Sequence, residues 1–180
     1  MAGKFKNSVW EVIKFALITL IIVVPIRTYV AQPFVVSGAS MDPTFEHGQY
    51  LIIDELSYYL RQPTRGEVVV FRYPKDPSKH FIKRIIGLPG ETVIVKNNEV
   101  DIKKGNETMR LNEPYVHNSF SGNVELVLGP NDYFVMGDNR SVSLDSRAWG
   151  ALPEKLITGR VLVRLFPFGQ VGVLPGVYTP

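Results

Sequence analysis

The sequence predicts a mainly β domain carried on one N-terminal transmembrane helix. Two observations carry this. One apolar segment lies near the N-terminus, and everything beyond it breaks into short β-type runs separated by turn residues. The 15 glycines and 13 prolines are spread along the 180 residues, which favours frequent turns over long helices.

The N-terminal element comes first. Residues 12–30, VIKFALITLIIVVPIRTYV, are overwhelmingly apolar, although the strictly uncharged run from Phe15 to Ile26 is only 12 residues long. A spanning helix needs about 20 residues. Trp10 to Tyr29 supplies that length, with aromatic residues where the interfaces would fall and Lys14 and Arg27 able to snorkel outward. A cleaved signal peptide fits less well, because no small-x-small site follows closely. A buried core helix is the other alternative. Lys4, Lys6 and Lys14 against Arg27 predict a cytoplasmic N-terminus. The predicted division is therefore 1–31 as cytoplasmic N-terminus and membrane anchor, and 32–180 as an extracytoplasmic β-rich domain.

After Gln32 the β-type runs fall near 33–38, 49–54, 67–73, 80–87, 91–96, 98–102, 109–112, 124–128, 132–136, 159–166 and 170–174. Asn97-Asn98 between two runs predicts a tight hairpin. Short helical pieces are expected near 55–61 and 153–156. Many short strands at this spacing argue for a β sandwich or irregular barrel. Residues 103–123 are polar and turn-rich and read as an excursion from the core. Phe166-Pro167-Phe168 reads equally well as a lipid contact or as core.

Charge narrows the function. The net charge is +3, and residues 1–30 alone account for it through Lys4, Lys6, Lys14 and Arg27 against Glu11. The remaining chain is balanced, which gives nucleic-acid binding no compositional support. There is no cysteine, which removes disulfides and thiolate chemistry. His47, His80 and His117 are scattered without metal-ligand spacing, and each reads as a surface histidine.

Three segments could carry chemistry. Residues 37–44, SGASMDPT, place Ser40 among small residues at the end of a β run, where its hydroxyl could meet a carbonyl and its N–H an oxyanion. Alone, an ordinary serine-rich turn accounts for the segment. A serine nucleophile needs a base. Lys83 sits within HFIKRIIGLPGE, sharing a strand face with Phe81 and Ile85 while Arg84 points the other way. Apolar burial lowers an amine's pKa, and a base working near neutrality needs a drop of roughly 2–3 units. A snorkelling edge-strand lysine accounts for this segment equally simply. Residues 136–150, MGDNRSVSLDSRAWG, crowd hydrogen-bonding groups after an apolar strand, as a cross-linked turn would. Asp145 and Arg147 can pair there.

Together these segments resemble the type I signal (leader) peptidases, membrane-bound serine proteases with a Ser/Lys dyad. The resemblance rests on the anchor, on Ser40-Met41-x-Pro43-Thr44, on Lys83-Arg84-x-x-Gly87-x-Pro89-Gly90, and on Gly137-Asp138-Asn139-Arg140-x-x-Ser143-x-Asp145-Ser146-Arg147-x-x-Gly150, in that order. It implies a mostly antiparallel β protease fold. It implies Ser40 as nucleophile, Lys83 as general base, and Ser143 as the group orienting the Lys83 amine. Arg84 would pair with Asp138, and Asp145 with Arg147. Val36, Met41, Phe45, Phe81 and Ile82 would wall a pocket for small residues at −1 and −3. The implied partners are preprotein signal peptides, membrane lipid and, as a candidate, the secretion translocase, with no cofactor and no metal. One position departs from some members of the family: Gly38 stands where they carry a serine that helps form the oxyanion hole. A narrow-specificity maturation protease and a non-catalytic anchored β module are the alternative readings.

Overall fold

The computed structural model describes residues 2–25, 32–120 and 122–178, with the side chains of the first segment described for 10–21. The N-terminal helix α1 spans Ala2–Pro25, 24 residues and about 36 Å at 1.5 Å per residue. It begins ten residues before the apolar segment does. Among the described residues no helix is long and apolar enough to cross a membrane. Arg27 and Tyr29, expected at the outer end of the anchor, lie outside the described residues.

The body is mainly antiparallel β. Strands β1 (Gln32–Val35), β2 (Tyr50–Asp54), β3 (Val68–Tyr73), β4 (Asp76–Gly87), β9 (Asp132–Met136), β10 (Leu152–Pro153), β11 (Ile157–Phe166) and β12 (Gly172–Val173) form one sheet of eight. Its order is β1-β2-β11-β3-β4-β9-β10, with β12 on β11. Strands β5 (Thr92–Lys96), β6 (Glu99–Lys104), β7 (Glu107–Arg110) and β8 (Val124–Val127) form a second sheet of four, ordered β7-β6-β5-β8. Short helices α2 (Ser57–Leu60) and α3 (Ser146–Trp149) complete the domain.

Burial explains the sequence pattern. Val68-Val69-Val70-Phe71 is an unbroken apolar run because β3 is covered on both faces. Val68 and Val70 join a cluster with Val36, Met41, Phe45, Leu51, Ile53 and Val161, while Val69 and Phe71 join Ile85, Tyr133, Val135 and Leu152. A third cluster, including Ile86, Val93, Val95, Val100, Ile102 and Phe134, packs the small sheet against the large one. The hairpin at Asn97-Asn98 is present, with both residues at positive φ (52° and 68°), as a tight β5–β6 connection requires.

The polar excursion at 103–123 is a correction. Its first part continues β6 to Lys104 and adds β7 at the edge of the small sheet, so its polarity is that of a solvated sheet edge. Its second part folds back onto the loop that follows β9.

Two free strand edges position the site. Among the described residues β1 pairs only with β2. β4 pairs with β3 from Asp76 onward but with β9 only over Arg84–Gly87, so among the described residues its 76–83 half has one unpaired edge. The sheet curls until these edges face each other, and the rings of Phe34 in β1 and His80 in β4 stand 5.5 Å apart.

Candidate active site

Ser40 lies in the turn that follows β1, and Lys83 lies where β4 loses its second neighbour. Lys83 Nζ donates to Ser40 Oγ at 2.6 Å and to the Ile82 carbonyl at 2.8 Å. Lys83 is only 4% exposed. Burial is the main influence on its amine and lowers the pKa to about 8, while the negative charges of Asp145 and Asp138 oppose the shift. With the amine neutral, the same short contact can reverse, Ser40 O–H donating to the Nζ lone pair.

The expected ion pairs both form. Arg84 Nε and Nη2 donate to Asp138 Oδ1 and Oδ2 at 2.8 and 2.6 Å, and both side chains are buried. Arg84 also donates to the carbonyls of Gly66 and Gly176, and its guanidinium lies 3.9 Å from the centre of the Tyr115 ring. Thr44, from the Ser40 turn, donates its hydroxyl to Asp138 Oδ2 at 2.5 Å. Arg147 grips Asp145 with Nε and Nη2, both at 2.8 Å. Asp145 also accepts the Gly137 N–H at 3.1 Å. Asn139 N–H donates to the Ser40 carbonyl at 3.1 Å, tying the loop to the Ser40 turn. Gly137 is required by this approach: a Cβ there would stand 2.3 Å from both the Ser40 carbonyl and Ser143 Oγ.

Three expectations need correction. Ser143 Oγ is buried beside Gly137, but it makes no hydrogen bond to Lys83 or to any other group among the described residues. Of the five wall residues, Val36, Phe81 and Ile82 line the cleft at Ser40, whose volume is about 470 Å³. Met41 and Phe45 do not: they are 1% and 0% exposed and belong to the core beneath the turn. Alternation along the chain sends Ser40 out and Met41 in, and Phe45 lies under the Arg164 guanidinium at 5.3 Å. Val142 and Leu144, from the loop after β9, supply the missing wall.

Sequence reasoning also missed a support. Arg140 is 1% exposed in its side chain and pairs in bidentate fashion with Glu113 at 2.9 and 2.5 Å, while its Nε holds the Gly137 carbonyl. Arg140 stands in the quoted motif, but Glu113 comes from the supposed excursion, 27 residues away, and no local spacing signals that contact.

A serine hydroxyl against a desolvated lysine amine, in an apolar cleft between strand edges, has the parts of a serine hydrolase that uses an amine in place of histidine. Comparison with known proteins agrees. A family model described as "Signal peptidase, peptidase S26" matches residues 9–166. "Probable signal peptidase I-2" from Synechocystis sp. is 40% identical over 176 residues, covering 94% of this chain and 78% of that protein. "Probable signal peptidase I-1" from the same organism is 37% identical over 180 residues, covering 92% and 90%. A crystal structure of a signal peptidase I from Enterococcus faecalis V583 aligns with a TM-score of 0.49 at 27% identity, covering 56% of this chain and 97% of that one. The chain belongs to the peptidase S26 signal peptidase family.

The buried Arg84–Asp138 pair sets a stability prediction. Asp138→Asn leaves the guanidinium buried without its counter-charge and costs about 3–5 kcal/mol. Urea denaturation followed by tryptophan fluorescence measures this, and a loss under about 1 kcal/mol would show that the pair does not hold the loop.

Proposed function

We propose that this protein is a membrane-tethered serine endopeptidase that removes N-terminal signal peptides from exported preproteins, with Ser40 as nucleophile and Lys83 as general base. The observation that carries the proposal is the 2.6 Å contact between Ser40 Oγ and a buried Lys83 amine, in a chain of the signal peptidase family.

In this mechanism an extended substrate segment lies in the cleft between the free edges of β1 and β4 and pairs through its main chain. Alternate side chains then face the enzyme, so −1 and −3 are read. Neutral Lys83 takes the Ser40 proton, and Oγ attacks the carbonyl at −1. The oxyanion is met by the Ser40 N–H beside Gly38. The ammonium of Lys83 returns its proton to the leaving amine, giving an acyl-enzyme and a new N-terminus. Lys83 then activates a water, which releases the signal peptide and restores Ser40. Arg84, Asp138, Asp145 and Arg147 keep the turn and the loop in register.

Residues 1–31 serve as a single-pass anchor with the N-terminus in the cytoplasm, and 32–180 form the catalytic domain outside it. The basic residues Lys4, Lys6 and Lys14 before and within the apolar segment support this, as does an exposed apolar patch on the domain. Phe168 is 83% and Val173 is 73% exposed, beside Tyr50 and Phe166, whose rings meet at 5.9 Å. Core packing therefore does not account for Phe166-Pro167-Phe168, and a lipid surface is the proposed match. The secretion translocase, which delivers preproteins to that surface, is the natural neighbour.

Ser40→Ala and Lys83→Ala should each lower preprotein cleavage about a thousandfold or more, with the fold retained. Lys83→Arg should be equally inactive, because arginine stays protonated. The amine must be neutral to act, so kcat/KM should rise with pH to a plateau above its pKa of about 8. N-terminal sequencing of the product identifies the bond cut. Turnover by folded Lys83→Ala at a tenth of the parent rate would remove lysine from the mechanism.

For the topology, a protease added outside spheroplasts should digest the domain at 32–180. Complete protection there, with digestion in inverted vesicles, would reverse the orientation.

A further inference from the structure

The β1–β2 ladder continues past the strand ends. Val36 N–H donates to the Gln49 carbonyl at 2.9 Å, and Gly48 N–H donates to the Val36 carbonyl at 2.9 Å. At the next rung the partner changes. Gly38 N–H donates to a side chain, Nδ1 of His47, at 3.2 Å. The backbone turns away here, Gly38 having φ +94°, so the ring stands where a carbonyl would stand in a regular ladder. Accepting at Nδ1 requires the neutral ring with its proton on Nε2.

Ser40 follows two residues later. The downstream side of its turn is held by Asn139 N–H on the Ser40 carbonyl. The upstream side has no comparable packing: Ser37, Gly38 and Ala39 are all exposed and line the open cleft. Within the turn Asp42 N–H donates to the Ala39 carbonyl at 3.3 Å, and the His47 bond ties this side of the turn to the segment that leads into β2.

We propose that His47 is a positioning residue for Ser40. By accepting the Gly38 N–H it extends the β1–β2 ladder by one rung and fixes the turn so that Ser40 Oγ rests on Lys83 Nζ. The proposal rests on the reading of Ser40 as nucleophile. His47 acts as a hydrogen-bond acceptor, not as a base, since the Lys83 amine contacts Ser40 and the Ile82 carbonyl. A surface histidine of no consequence, as the sequence suggests, would make no such bond.

Asparagine separates these roles. Its Oδ1 is attached to Cγ as His Nδ1 is, so it can accept the same N–H. Alanine offers no acceptor. The full-length chain in detergent, carrying His47→Ala, His47→Asn or Ser40→Ala, should be assayed on a preprotein, with thermal unfolding of each. A lost hydrogen bond of ordinary strength predicts that His47→Ala lowers kcat about fivefold with KM little changed. Its unfolding midpoint should stay near the parent's, because the ring is exposed, and His47→Asn should recover most of the lost kcat. Parent-like kcat in His47→Ala, or His47→Asn as slow as His47→Ala, would overturn the proposal. So would a fall in midpoint that tracks the fall in rate, since it would make the bond a general support of the fold. Turnover by Ser40→Ala would instead sink the nucleophile reading on which the proposal stands.

Discussion

The site hangs on one buried ion pair. Arg84 follows Lys83 on β4, so fixing the guanidinium fixes the backbone that aims the amine. Asp138 opens the loop after β9, so the same pair fixes that loop. Thr44 adds the nucleophile turn through its hydroxyl on Asp138, and the Gly66 and Gly176 carbonyls add two further segments. Strand, turn, loop and C-terminal segment therefore meet at one guanidinium whose donors are nearly all used. A buried charge is tolerable only when paired and hydrogen-bonded this completely. Arginine suits the task because its planar fork can hold a carboxylate with two bonds while a third nitrogen reaches carbonyls elsewhere.

The pairing also decides the electrostatics at Lys83. Two carboxylates nearby would ordinarily hold an amine protonated. Here Asp138 is engaged by Arg84 and Asp145 by Arg147, so each presents closer to a dipole than a free charge. Their pull on Lys83 persists but is outweighed by burial, and the amine settles at about 8. A histidine in the same place would gain nothing from this arrangement. A lysine needs it, because its usual pKa is far above neutrality. The ion pairs therefore serve two ends, holding the geometry and withholding negative charge from the base.

The strands are legible in the sequence because turn residues punctuate them and because period-two burial holds along β5 and β6. The face argument at Lys83 and Arg84 holds because side chains alternate along β4: 81 and 85 join one apolar cluster, and 82 joins the other. What was not legible depends on contacts between distant segments. All four strands of the second sheet are expected as runs, but the outer one, β7, is expected near 109–112 and lies at Glu107–Arg110, because it is exposed throughout and no apolar signal fixes its bounds. Met41 and Phe45 were misplaced because adjacency to Ser40 was taken for a share in its cleft, and only the turn's geometry shows them underneath. Arg140–Glu113 joins residues 27 apart, and nothing near Glu113 marks it as a partner. The pairs Arg84–Asp138 and Asp145–Arg147 were anticipated through family resemblance, with only the second suggested by spacing.

A lysine base and a serine nucleophile make opposed demands on a fold. The amine must be dry to be neutral, whereas the hydroxyl must be open to a polypeptide. The curled sheet meets both by placing the two residues on different elements at the rim of one cleft. Lys83 enters from a strand whose second neighbour ends at Arg84, so its stem is covered by sheet while its tip reaches the cleft. Ser40 enters from a turn whose outer side is open. Among the described residues the free edges of β1 and β4, which would be a liability in most sheets, offer main-chain groups with which an extended segment could pair. An extended segment that filled them would cover the remaining exposed surface of Lys83 and strengthen the desolvation that keeps its amine neutral. Under the proposed mechanism, substrate binding and base activation would be coupled through the same strip of backbone.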